Sequence, residues 1–196
     1  MNYSDSLTAI IFFSLLTTAS VLLGRYMAAV FSGERTFMTP LMRPIEKIIY
    51  RICLVDEAEE YSWKRYALGF ILFNITGVVV LIVVQMAQGV LPLNPARVPG
   101  VRWDTAFNTA VSFVTNTNWQ SYVPESGVSY LTQMSGLAVQ NFLSAAIGMA
   151  VALPLVRSFI RRESATVGNL WVDMTRSVLY VLLPLSVIVC ILLLSQ

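Results

Sequence analysis

Four stretches of the chain run for about twenty residues with almost no charge: Leu7 to Val30, Tyr66 to Ala87, Tyr130 to Val156 and Ser177 to Leu194. A helix rises about 1.5 Å per residue, so roughly 20 residues cover the ~30 Å hydrocarbon core of a bilayer. No water reaches that core to satisfy peptide groups, and blocks this long, apolar throughout rather than alternating, specify spanning helices. The fold class that follows is an all-α integral membrane protein with four transmembrane helices, in keeping with 56% hydrophobic and 12% charged residues. The first block follows Asp5, has no basic residue ahead of it and outruns a signal-peptide core. It reads as a retained helix.

Charge orients these helices. Arg25, Arg35, Arg43, Lys47, Arg51, Lys64 and Arg65 gather around the first connection, and Arg157, Arg161, Arg162 and Arg176 around the third, making 11 of the 13 Lys and Arg. The middle connection, about 88 to 129, holds only Arg97 and Arg102. Basic residues stay on the cytoplasmic side, which puts the N-terminus outside and the middle connection on the outer face. A net charge of +2 gives no case for nucleic acid.

The chain has no His and two Cys. Cys53 and Cys190 fall on opposite sides of the membrane in this topology, so no disulfide joins them, and both read as small apolar packers. No GxSxG, HExxH or Walker A glycine loop occurs, so neither a catalytic site nor an ATP site is expected in this chain.

In the first inner connection, "LMRPIEKIIYRICL" sets Ile45, Ile48, Ile49 and Ile52 at helical spacing, with Arg43, Lys47 and Arg51 on another face. This is an amphipathic helix for the cytoplasmic interface, with Pro44 in its first turn. It either covers the ends of its own helices or docks a cytoplasmic partner. The acidic "VDEAEEYSWKRY" after it reads as a solvated linker.

The middle connection is unusual. "GVLPLNPARVPG" keeps the chain extended through Pro92, Pro95 and Pro99, then Asp104 offers an N-cap to "TAFNTAVSFV", and "TNTNWQSY" follows. A helix of about ten residues reaches only about 15 Å, to mid-membrane. This describes a re-entrant pore helix and filter loop, since irregular backbone at that depth survives only when buried in protein or lining water. A polar loop lying on the outer surface is the alternative. The pore helix would aim its negative C-terminal end at Thr115, Asn116, Thr117 and Asn118, whose backbone carbonyls would replace the water shell of a monovalent cation. No carboxylate lies between Asp104 and Glu125, which favours K+ over Ca2+ or Mg2+. Asn and Thr side chains would hold the loop by hydrogen bonds, Trp119 and Gln120 would wedge its outer side, and the intramembrane amides Gln140 and Asn141 would brace it.

The runs "NTAVSFVTNTNWQSY", "GLAVQNFLSAA", "LPLNP" and "GNLWVDMTRSVLYVLLPLS" resemble the potassium-binding, channel-like subunit of the bacterial Kdp-type potassium-transporting ATPase. The resemblance covers the whole chain. It implies a potassium-transporter superfamily fold of four membrane-pore-membrane repeats, a bacterial inner-membrane location, K+ as the transported ion, and a complex with a P-type ATPase catalytic subunit and small accessory subunits. It assigns Thr115, Asn116, Thr117 and Asn118 to the first of four filter loops, with Gln120 beside it. This loop lacks the Gly of a TVGYG filter.

Family members are more than twice this length, so the chain reads as an N-terminal portion: 1–30 a first transmembrane helix, 31–65 a cytoplasmic loop with the amphipathic helix, 66–156 one membrane-pore-membrane repeat, and 157–196 a cytoplasmic loop with the first helix of the next repeat. A small-residue stripe, Gly136, Ser144, Gly148 and Ala152, is available for close packing with absent repeats or within this one. Two alternatives stand beside an ATP-driven uptake subunit: a homotetrameric potassium channel without an ATPase, and a membrane scaffold fragment.

Overall fold

A computed structural model describes residues 3–160 and 165–196; Arg161 and Arg162, used above for orientation, lie outside the described residues. The chain divides into two compact units, Met1–Ile48 and Ile49–Gln196. Four helical segments are long and apolar enough to cross a membrane: Asp5–Phe31, Trp63–Ala87, Thr132–Ile160 and Leu170–Leu194. Among the described residues the only β-type pairing is one isolated bridge, Tyr61 with Gly168. The all-α membrane fold expected from the apolar blocks is the fold observed.

The first unit holds α1 (Tyr3–Phe31) and most of α2 (Thr39–Cys53). Gly33, at φ +76°, closes the end of α1 with its amide bonded to Val30 O. The Thr36 amide donates to Thr39 Oγ1 at 2.8 Å, and α2 starts at Thr39, more than a turn ahead of Pro44. Pro44 therefore sits inside the helix, and Pro40 occupies its first turn.

In the second unit, α3 (Trp63–Ala87) is followed by α4 (Trp103–Val114), a single turn α5 (Pro124–Gly127), and α6 (Val139–Ile160), which is preceded by a wide π-helical stretch, Thr132–Ala138. Then come α7 (Leu170–Arg176), a second π-helical stretch, Ser177–Leu182, and α8 (Leu183–Leu194). These three pieces make one span, Leu170–Leu194. Pro184 cannot donate to the carbonyl of residue 180, and the wide turn before it accommodates that missing bond. Pro154, inside α6, likewise leaves Ala150 O without a helical donor, and the Tyr66 hydroxyl supplies one at 2.5 Å. Burial concentrates in two clusters, Tyr61, Tyr66, Ile147, Ala150, Leu170 and Met174 at one end of the spanning helices, and Leu81, Ala110, Phe113, Val114, Val128 and Leu137 around α4.

The acidic connection before α3 is more than a solvated linker. Asn169 donates from Nδ2 to Asp56 O and Glu59 O, each at 3.1 Å, while Tyr61 pairs its backbone with Val167 and Gly168 and is buried. Above it, Asp173 receives both Nη groups of Arg157, at 2.6 and 2.8 Å, and the Tyr66 hydroxyl lies 3.1 Å from its Oδ2. Gly168 is at φ +107°, and a Cβ there would fall 2.2 Å from Arg157 Nη1, so only glycine permits this approach. Cys53 and Cys190 are unpaired and exposed rather than packed.

Candidate filter loop

The twelve residues of α4 give a rod of about 18 Å, enough to enter a membrane but not to cross it. Its cap differs from the expected one. Arg102 is the N-cap and Asp104 lies in the first turn, where Oδ1 accepts the Thr105 amide at 2.9 Å and Arg102 lies 2.9 Å from Oδ2. The Thr105 amide, followed by the Arg102 charge, holds the Asp104 carboxyl below the usual carboxylate range. A carboxylate in the first turn favours the positive end of the helix.

Depth is read from neighbours. The side chain of Val114, the last residue of α4, lies against Gly77, midway along α3, where an added Cβ would come within 3.3 Å of it. Asn116 Oδ1 accepts the Ser144 hydroxyl at 3.2 Å, from the middle of the third span. At the opposite end of α4, Gln88, just past α3, ties the long connection between α3 and α6 together. Its Nε2 donates to Pro99 O and Gly127 O, and its Oε1 accepts the Ser129 amide and the Thr132 hydroxyl. Asn94 adds donors to Gln88 O and Val98 O. The chain thus leaves that end in α4, turns level with the middle of the spanning helices, and returns to α5.

The turn is built by one repeated device. Five consecutive amides bond back to the last turns of α4: Thr115 to Val111 O, Asn116 to Phe113 O, Thr117 and Asn118 to Ser112 O, and Trp119 to Ser112 Oγ. This requires a backbone that swings inward, and Asn116 and Asn118 both adopt φ +60° while Thr117 between them does not. Asn tolerates this left-handed region better than other side chains, which is the physical reason for Asn at alternate positions. With the amides facing the helix end, no described donor reaches the carbonyl oxygens of Thr115, Asn116, Thr117 and Asn118. Side chains then fix the outline, Thr115 Oγ1 lying 3.1 Å from Thr117 Oγ1 and Asn118 Nδ2 lying 3.2 Å from Asn116 Oδ1.

The structure brings Thr115, Asn116, Thr117 and Asn118 together as one exposed turn. Trp119 is tied through its backbone, but its indole is half exposed and packs on no other ring among the described residues; Gln120 is partly buried. Gln140 is buried against Gly77 with Nε2 unpartnered, and Asn141 is exposed, so neither bonds the loop. The brace is Ser144, one helical turn further on. The small-residue stripe divides accordingly: Gly136 and Ser144 are buried within the repeat, and Gly148 and Ala152 are open. Ser112, Ser144 and Gln88 were not singled out by sequence as loop anchors; a lone Ser in an apolar run and a Gln just before a proline-rich segment were the signals available. Beside the loop, α3, α4 and α6 enclose a largely apolar groove of about 830 Å³, with Phe70, Asn74, Val111, Thr115, Asn116 and Ser144 in its wall.

Residues 10–196 match the KdpA family, Potassium-transporting ATPase A subunit. Among curated relatives, the potassium-transporting ATPase potassium-binding subunit of Geotalea uraniireducens is 50% identical over all 196 residues, that of Geobacter metallireducens 51%, and that of Pseudomonas syringae pv. tomato 50%. The chain is covered completely in each case. It spans 33%, 33% and 35% of these relatives' own lengths, about a third.

Proposed function

The chain belongs to the KdpA family of potassium-transporting ATPase A subunits, and from that premise we propose that it contributes one filter loop to a potassium pathway across a bacterial inner membrane. K+ is the cargo, met by the backbone carbonyls of Thr115, Asn116, Thr117 and Asn118. The observation that carries this reading is the commitment of amides 115 to 119 to the end of α4, which leaves four successive carbonyls without a donor at mid-depth. The C-terminal end of α4 adds the negative end of its dipole at the same place. One loop supplies a fraction of a coordination shell, and the rest comes from the further length that the relatives possess. Energy comes from a P-type ATPase catalytic subunit in the same complex, with small accessory subunits; this chain supplies selection and passage.

Gln120 tests the pathway. In the full-length protein within its complex, Gln120→Arg should raise the K+ concentration for half-maximal ATPase stimulation about tenfold. A guanidinium about 6 Å from the ion, at an effective dielectric constant near 20, repels it by roughly 3 kcal/mol, and screening by outer water reduces that severalfold. Gln120→Glu, whose charge attracts cations, should show no such loss. Equal impairment by both would assign Gln120 a shape role, and unchanged affinity in both would remove it from the ion's path.

The same reading fixes orientation, with the N-terminus outside. Ala58, in the connection before α3, and Ser126, in α5, are both exposed. As single cysteines in a background lacking Cys53 and Cys190, they should react with an impermeant thiol reagent from opposite sides, Ser126→Cys from outside. Labelling of both from one side would overturn the orientation.

A further inference from the structure

Away from the filter and independent of it, α2 presents a surface with a defined chemistry, and we propose that it binds the headgroups of anionic phospholipids. Its depth comes first. Phe37, just before α2, folds back so that its ring centroid lies 5.2 Å from that of Tyr26, in the last turns of α1. The helix therefore begins where a spanning helix leaves the hydrocarbon, not out in water. Phe37, Leu41, Ile45, Ile48 and Ile52 then follow at steps of four, four, three and four, and every one of them is exposed, from 42% at Ile45 to 78% at Phe37. These steps form one continuous stripe along a helix.

The remaining faces differ. Met42, Glu46 and Tyr50 are buried, and Arg43 is held by Glu46 at 3.0 Å. Lys47 and Arg51, four residues apart, are exposed on the next face round, and Arg35 is exposed in the turn before the helix. None of these three has an acidic partner among the described residues. A helix with one flank covered, an apolar stripe reaching into the acyl region and unpaired cations beside that stripe has its charges at the level of lipid phosphates. Arg51 suits a phosphate diester through its planar fork, and Lys47 acts as a point charge. The helix before it, α1, likewise exposes apolar side chains, among them Leu15, Leu16 and Leu22, so lipid rather than protein is the occupant the surface fits.

The test uses the full-length protein in its purified complex, delipidated and returned to nanodiscs of phosphatidylcholine alone or with phosphatidylglycerol. Phosphatidylglycerol retained by the complex is counted by native mass spectrometry, and the thermal midpoint is measured in both lipids. The expected result is that wild type retains phosphatidylglycerol and melts higher with it. Lys47→Gln with Arg51→Gln should weaken that binding about 25-fold, about fivefold per cation removed. Lys47→Arg with Arg51→Lys should preserve it. Equal retention by wild type and the double Gln variant would overturn the proposal, as would loss of the ATPase subunit from the Gln variant in lipid-free detergent, since that would make the surface a protein dock.

Discussion

Asp173→Ala in the full-length protein should cost about 3–5 kcal/mol of stability, the range for removing one partner of a buried ion pair. The reason is what remains. Arg157, with its side chain 18% exposed, would keep only Val167 O at 3.0 Å after losing two short bonds to a carboxylate that is itself almost wholly buried. Tyr66 would lose the same neighbour while still serving Ala150 O. The cluster joins the ends of three helices, α3 through Tyr66, α6 through Arg157 and α7 through Asp173, so the loss should spread to the loop that holds Gly168. A double-mutant cycle with Arg157→Met and Asp173→Leu checks it through unfolding midpoints. The double variant should be more stable than either single one, with a coupling of about 2 kcal/mol. Additive losses would mean that the two charges act independently and that the cluster is no clamp.

That cluster also shows where reading the sequence ran out. The apolar blocks set the number of spanning helices because the bilayer thickness leaves no other solution, and the twelve residues of α4 could be read as too short to cross for the same reason. What length and hydropathy cannot express is pairing across 107 positions, as between Tyr66 and Asp173. Asp173 lies ahead of the fourth apolar block, which begins at Ser177, and nothing local to it marks a partner on α6. Its partner on α6 sat in the group of arginines used to orient the chain. Similarly, the third apolar block runs through Pro154, and nothing in its sequence tells that Tyr66 supplies the donor that Ala150 O lacks.

The candidate filter loop divides along the same line. Its position followed from polarity, helix length and the preceding prolines, all local quantities. Its brace did not, because choosing Ser144 over Gln140 depends on which face of the third span meets α4, and the π-helical stretch at Thr132–Ala138 alters the helical phase ahead of both. The role of Ser112 was equally hidden. A carbonyl that accepts two amides and a hydroxyl that accepts a third become visible only once the backbone has turned back on itself.

The left-handed positions in that turn support the most direct test of the filter. In the full-length protein, Asn116→Val should raise the K+ concentration for half-maximal ATPase stimulation at least thirtyfold, while Asn116→Gly should do so by less than tenfold. A β-branched residue at φ +60° costs about 1–3 kcal/mol in backbone strain, and its relief would move the peptide planes on either side. Both variants also lose the Oδ1 acceptor that Ser144 and Asn118 use, a loss they share. Glycine keeps the left-handed conformation without strain. The difference between the two variants therefore isolates the backbone, and hence the aim of the carbonyls, from the side-chain brace. If Val and Gly prove equally harmful, the side chain of Asn116 matters to the ion and the carbonyl geometry does not. If both behave as wild type, the ion passes elsewhere.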